Sequence, residues 1–198
     1  MEKIYETAHA KINLGLDVLG KRPDGYHEVR MVMQSIGLSD TVTIEEGEGL
    51  TVETDHGGLA GGPDNLAWKA AALLARSCGK TPNVHIRLNK KIFLAAGLAG
   101  GSSDAAAVLR GLNRLWRLNM TAADLEKLAA ELGSDIPFCV TGGTALAEGR
   151  GERLTALPEA PKLLLVLAKP KLEVATGWVY GNFRQDKVGS RPDIDGII

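Results

Sequence analysis

From residue 11 to residue 18 apolar and polar positions alternate, with Ile12, Leu14, Leu16 and Val18 on one side and Lys11, Asn13, Gly15 and Asp17 on the other. A period of two is the signature of a strand with one buried face. Residues 41–45, 50–54 and 84–88 show the same alternation or β-branched enrichment, each with Gly or Pro nearby, so the N-terminal half reads as an antiparallel sheet of hairpins. Between these strands Asp64 or Asn65 caps an Ala- and Leu-rich helix running to about Ser77, with Gly79 as its stop. A second helix is expected from Ser103 to Trp116. A third starts at Thr121, with Asp124 completing a capping box before Leu125, Leu128, Ala129 and Leu132 at helical spacing. Residues 143–157 read as a hairpin turning near Gly149 and Gly151, and residues 162–169 as a strand buried on both faces. In residues 191–198, Pro192 and Asp193 lead into Ile194, Ile197 and Ile198 like the start of an amphipathic segment. Strands and helices mix without a regular βαβ repeat, so the class is α+β.

Composition narrows the function classes. The 198 residues are 44% hydrophobic and 24% charged, which is globular composition and argues against disorder or a coiled coil. A formal net charge of -1 gives no footprint for a nucleic-acid backbone. The longest strongly apolar run, residues 163–168, is far too short to span a bilayer, so no membrane partner and a cytoplasmic location are expected. Cys78 and Cys139 lie far apart, outside any zinc or disulfide spacing, and read as ordinary thiols. His9, His56 and His85 have no metal-ligand spacing, and Trp68, Trp116 and Trp178 sit in helical patterns that imply packing.

The richest chemistry lies in Leu94, Ala95, Ala96, Gly97, Leu98, Ala99, Gly100, Gly101, Ser102 and Ser103, directly before the second helix. Small residues let a backbone approach a bulky anion, and successive N–H groups opening into a helix N-terminus bind phosphate. A Gly-rich turn with a serine cap has the same composition, so the loop by itself leaves both readings open. The segment contains neither the dinucleotide-binding nor the P-loop spacing of glycines. A near match to the P-loop at residues 15–21 fails because Arg22 and Pro23 follow where a hydroxyl residue and a helix belong.

Residues 97–106, GLAGGSSDAA, resemble the phosphate-binding motif of the GHMP kinases, the superfamily of galactokinase, homoserine kinase and mevalonate kinase. Ala10-Lys11-Ile12-Asn13-Leu14, then Arg22-Pro23-Asp24-Gly25-Tyr26-His27-Glu28, Gly133-Ser134-Asp135-Ile136-Pro137-Phe138 and Ala147-Glu148-Gly149-Arg150-Gly151-Glu152 are similar to the branch acting on a cytidine-diphosphate-linked methylerythritol. The resemblance implies a GHMP-kinase N-terminal lobe, a fold shared with a small-subunit ribosomal protein domain. It implies ATP and Mg2+ as cofactors and transfer of the γ-phosphate to the 2-hydroxyl of that small-molecule substrate, a step of the non-mevalonate route to isoprenoid precursors.

By the same resemblance Asp135 and Lys11 are the catalytic pair. Residues 94–103 with Asn65 hold the nucleotide, and Asn13, Tyr26 and His27 bind substrate, the Tyr ring stacking on the cytosine. Asn65 reads equally as a helix cap, and the metal ligands are unassigned. Phe93 stands where the family usually has proline before the loop. The family's second lobe, with a further Gly-rich motif, has no match here. Residues 1–170 are therefore expected to form the ATP-binding and catalytic domain and 171–198 the start of a shortened second one. Low activity, and self-association through an exposed apolar seam near Val179, Phe183 and Ile194 to Ile198, are further expectations.

Overall fold

A long two-stranded ribbon organises the protein: β1 (Lys3–Lys21) pairs antiparallel with β2 (His27–Glu46) from one end to the other. The computed structural model describes residues 3–170 and 174–198. On its other edge β2 pairs twice, residues 41–46 with β4 (Val84–Asn89) and residues 29–34 with β5 (Thr144–Gly149). β3 (Leu50–Thr54) flanks β4 and β6 (Arg153–Ala156) flanks β5, giving the order β3-β4-β2-β5-β6 with β1 against β2. β3 and β4 run parallel, whereas the hairpin reading expected antiparallel pairs. The reason is the helix between them, because a parallel pair needs a crossover and α1 (Leu66–Ser77) supplies it.

Helices cover one face. Asn65 caps α1 by accepting from Ala67 N–H at 2.9 Å, and Ala67, Ala70, Ala71 and Leu74 face the core at helical spacing. α2 (Gly100–Leu115) lies centrally and buries Ala105, Ala106, Val108, Leu109 and Leu112. Each fully buried leucine contributes about 1.5–3 kcal/mol. The helix sits close because Gly111 has no side chain: a Cβ there would stand 2.5 Å from Ile44 Cδ1. Gly111→Ala therefore overpacks the sheet, at roughly 1–3 kcal/mol. α3 (Ala122–Ala129) begins with the expected capping box of Thr121 and Asp124.

α4 (Ile136–Thr141) is absent from the sequence reading, since six residues opening on a proline show no helical period. The larger correction concerns residues 162–169. They form no strand, and Leu164 and Val166 are 99% and 97% exposed. The apolar composition is strand-like, but among the described residues no strand pairs with this stretch. α5 (Thr176–Gly181) follows. The segment at 191–198 folds back as a turn on β1, with Ile194 buried near Gly15, Arg191 paired to Asp17 at 2.9 Å, and Asp195 paired to Arg30. The expected boundary between residues 170 and 171 adjoins 171–173, which lie outside the described residues. Among the described residues no helix is long and apolar enough to cross a membrane.

Candidate active site

The alternation in β1 reverses part-way: Lys11 and Asn13 line an open cleft of about 1410 Å³, and after the register shift between Asn13 and Gly15 it is Leu16 and Val18 that line it, while Asp17 is buried against Arg191. Lys11 is itself only 6% exposed. Lys11 Nζ reaches into the same cleft, 3.3 Å from Asn13 Oδ1 and 3.9 Å from Asp135 Oδ2. No bulge interrupts β1 between residues 11 and 13, so their side chains share a face. Asp135 occupies the N-cap position of α4 but makes no side-chain capping bond. Its carboxylate is thereby left for the lysine and the cleft, not spent on the helix.

The glycine loop forms the adjacent wall. Ala95, Gly97 and Ala99 have φ of 50°, 71° and 58°, so every second residue is left-handed. Two of them are alanines, each held there at a cost of roughly 1–3 kcal/mol. Alternating handedness turns successive N–H groups toward one side and makes an anion-binding concavity. α2 begins at Gly100 with no side-chain cap, leaving first-turn N–H groups for a ligand. Ala95, Ala96, Gly97, Leu98 and Ser102 line the cleft. Leu94, Ala99, Gly100 and Gly101 complete the loop without lining it. Gly100 turns inward, where a Cβ would meet Ile92 Cγ2 at 3.1 Å.

Two residues expected at the nucleotide are committed elsewhere. Ser103 is buried and donates its hydroxyl to the His9 carbonyl at 2.6 Å, anchoring α2 to β1. Asn65 uses its amide oxygen in the α1 cap and donates its NH2 to the Ala60 carbonyl at 2.9 Å. Neither lines the cleft.

At the far end of the cleft the turn after β1 closes as its sequence dictates. Gly25 N donates to the Arg22 carbonyl at 3.1 Å, Arg22 N donates to the Tyr26 carbonyl at 2.8 Å, and Gly25 takes φ 87°. This presents Tyr26, half exposed, with the Arg150 guanidinium 4.8 Å above its ring. His27 packs on Tyr180 with ring centroids 5.2 Å apart and planes tilted by 31°, and meets Phe183 edge-on at 5.9 Å. The sequence reading missed Tyr180, Phe183 and Arg150. The two aromatics lie some 150 positions from His27 in sequence, and no local period signals such a meeting.

Arg110 on α2 joins the elements that carry the site. It pairs with Glu6 at 3.1 Å and donates to the carbonyls of Thr7 at 2.9 Å and Cys139 at 2.7 Å, tying β1, α2 and α4 together. Cys139 itself is inert: burial pushes its thiol up to about 11.

Known proteins similar to this chain point to one family. The family profile described as GHMP kinases N terminal domain matches residues 65–143. A 4-diphosphocytidyl-2-C-methyl-D-erythritol kinase from Acetivibrio thermocellus is 50% identical over 199 residues, covering 100% of this chain and 70% of that protein. The chain belongs to the 4-diphosphocytidyl-2-C-methyl-D-erythritol kinase family. The enzyme of that name from Synechococcus sp. (strain JA-3-3Ab) is 53% identical over 194 residues, covering 97% of this chain and 63% of the relative. A crystal structure of a 4-(cytidine 5'-diphospho)-2C-methyl-D-erythritol kinase superposes with a TM-score of 0.77 at 36% identity, over 98% of this chain and 69% of that one. The α+β GHMP-kinase N-terminal lobe expected from sequence is thus the fold observed. The chain spans 63% to 70% of the length of these family members.

Proposed function

We propose that the protein transfers the γ-phosphate of ATP to the 2-hydroxyl of 4-diphosphocytidyl-2-C-methyl-D-erythritol, within the non-mevalonate route to isoprenoid precursors; its relatives' names support the substrate and the kinase activity. Residues 1–170 are the ATP-binding and catalytic domain in this reading, and 171–198 begin a second one. The observation that carries it is the convergence of Lys11, Asn13 and Asp135 on one cleft with the left-handed glycine loop at one side and an aromatic cluster at the other.

In that cleft the triphosphate lies against the N–H groups of residues 94–103 and the N-terminus of α2, and the cytosine against Tyr26 and His27. Stacking on an aromatic ring contributes roughly 1–3 kcal/mol per base. The substrate hydroxyl oxygen bonds to the γ-phosphorus, the bond from that phosphorus to the β-phosphate oxygen breaks, and ADP leaves. Asp135 accepts the hydroxyl proton, while Lys11 holds the hydroxyl and the carboxylate in register and offsets negative charge at the transferring group. Asn13 fixes the ammonium through its 3.3 Å hydrogen bond.

No cluster of three or more His, Cys, Asp or Glu side chains suited to a metal occurs among the described residues. Mg2+ is commonly held by substrate phosphates with few protein ligands, and Ser102, which lines the cleft in the glycine loop, would offer it a hydroxyl. When bound, Mg2+ neutralises the charge of the transferring phosphates. A second reading, nucleotide binding without turnover by this chain alone, draws on the exposed stretch at 163–167, whose Leu167 borders the cleft. The same bare stretch supports self-association by a surface other than the expected seam, in which Ile194 is buried against β1.

The experiment is transfer of label from γ-labelled ATP to the cytidine-linked substrate, with another small alcohol such as homoserine as control. Labelled product from the cytidine compound alone supports the first reading, and nucleotide binding without product supports the second. Transfer to the control alone sinks the substrate assignment.

A further inference from the structure

Behind the glycine loop lies an ionic cluster that plays no direct part in the chemistry above. Lys90 Nζ pairs with Asp40 Oδ2 and with Asp104 Oδ2, and all three side chains are withdrawn from solvent. The second oxygen of Asp40 accepts the main-chain N–H groups of Lys91 and, at 2.8 Å, Ile92. Asp40 stands in β2, Lys90 directly follows β4, and Asp104 is in the first turns of α2. Lys90 and Asp104 therefore bracket the entire loop, and Asp40 fastens both ends to the sheet. The ammonium lies under the helix start, 3.7 Å from where a Gly100 Cβ would be.

Stability does not account for this arrangement. Buried ion pairs and triads are commonly replaceable by apolar side chains with no loss, because desolvation offsets their attraction. Here the cost is visible, since Asp104 Oδ1 is buried without a hydrogen-bond partner. Burial also pushes the Asp104 carboxyl up to about 7 against the pull of Lys90, with Asp40 adding to the rise. What the cluster does supply is a fixed separation between the entrance and exit of a loop whose alternate residues are strained.

We infer that Asp40, Lys90 and Asp104 form a positioning clamp, which holds both ends of the glycine loop so that its N–H groups converge on the nucleotide phosphates. The inference rests on the reading of that loop as the ATP site. None of the three side chains lines the cleft, so their influence runs through the backbone they hold.

The test compares the full chain with Lys90→Met and with Lys90→Met/Asp104→Leu. In the double variant Asp40 keeps its two main-chain donors and the carboxylate facing it is gone, so this variant is the one expected to fold well. Three measurements are made: thermal stability, ATP affinity by calorimetry with Mg2+, and hydrogen exchange of amides 94–103 without nucleotide. The expected result is faster exchange across the loop and about 10- to 100-fold weaker ATP binding, the scale of loss from a small misplacement of positioned groups. The double variant should keep its melting temperature within a few degrees of wild type while losing affinity, a split that a purely structural role would not produce. A folded double variant with wild-type exchange in the loop overturns the clamp. If exchange quickens yet ATP leaves amides 94–103 unprotected even in wild type, the clamp stands and the ATP-site reading falls.

Discussion

The main-chain N–H of Lys11 donates to the carbonyl of Leu98 at 3.1 Å, joining the strand that carries the candidate lysine to the glycine loop. Lys11 pairs with Ser35 in the β1–β2 ladder, just past a register shift in which residues 36–38 of β2 face Ala10 alone. Among the described residues β2 is the one strand neighbour of β1, so N–H groups on the other edge of β1 have no ladder partner. A buried backbone N–H of that kind must find another acceptor. Leu98 supplies it, so the glycine loop and the Lys11 side chain are registered through one peptide.

Lys11→Met and Asp135→Asn should each leave ATP affinity within a few-fold of wild type and lower turnover roughly 100- to 10,000-fold, the range for proton-transfer and hydroxyl-positioning groups. Lys11→Met should in addition raise KM for the cytidine substrate. Both are read from steady-state kinetics under conditions where the wild-type protein turns over, beside calorimetric ATP titration. Turnover retained in Asp135→Asn removes that residue from the mechanism.

Two neighbouring glycines should separate binding from folding. Gly101 is exposed in the first turn of α2 beside Ser102, which lines the cleft, and a Cβ there meets only Leu66 Cδ1 at 3.4 Å, so Gly101→Val should crowd the helix start next to the phosphate-binding amides with little change in melting temperature. Gly100→Val instead drives into Ile92, and overpacking of this kind costs about 1–3 kcal/mol. Thermal melts with ATP titrations check this, and equal behaviour of the two variants would contradict the opposite orientations of the two positions.

Much of this was legible in the chain itself, for reasons that differ from element to element. The α1 cap at Asn65, the capping box at Thr121 and the hairpin over 143–157 follow from short-range chemistry that a sequence displays. The side-chain commitments of Ser103 and Asn65, the inward turn of Gly100 and the meeting of His27 with Tyr180 and Phe183 depend on contacts between distant segments. Periodicity is blind to those. Residues 162–169 failed for a related reason: apolar composition states a wish for burial, and only a neighbouring strand can satisfy it.

Arg110→Met should destabilise the fold by roughly 1–3 kcal/mol, because it leaves the carbonyls of Thr7 and Cys139 without their donor and removes one of the two arginines on Glu6, the other being Arg114 at 2.8 Å. Chemical denaturation measures the loss. A change under about 0.5 kcal/mol, the range of ordinary surface substitutions, would show that water replaces the guanidinium at those carbonyls.

Stability should fall as pH rises toward neutrality, and Asp104 sets the sign. Its carboxyl is raised from 3.8 to about 7 in the folded chain, where it faces Lys90 after β4 and Asp40 on β2. Between those values the folded chain holds a proton that the unfolded chain has released, so the contribution is present at low pH and lost as pH climbs through the window. Glu45, Asp124 and Asp195 are lowered by Lys3, Thr121 and Arg30 and act the opposite way, losing stability as pH falls through the ordinary carboxylate range. Melts between about pH 5 and 7.5 keep those three ionised. Wild type should lose stability across that interval relative to Asp104→Asn, which cannot titrate. Parallel curves for the two proteins would assign the trend to another group.

The exposed stretch at 163–167 should make this 198-residue chain associate with itself. Leu164 and Val166 are 99% and 97% exposed, and Leu163 and Leu165 are 46% and 44% exposed. The backbone upstream is tethered, with Leu157 N–H on the Thr144 carbonyl at 2.9 Å and Ala160 N–H on Thr144 Oγ1 at 3.1 Å. The apolar residues beyond belong to no strand among the described residues. An apolar run of this kind offers a second copy exposed hydrophobic area, the feature by which such patches associate. Sedimentation velocity over a wide concentration range should show dimers or larger species for wild type. Leu164→Lys/Val166→Lys should shift the population toward monomer without lowering the melting temperature, since neither side chain is packed. A wild-type chain that stays monomeric at the highest concentration would show that this stretch does not recruit a second copy.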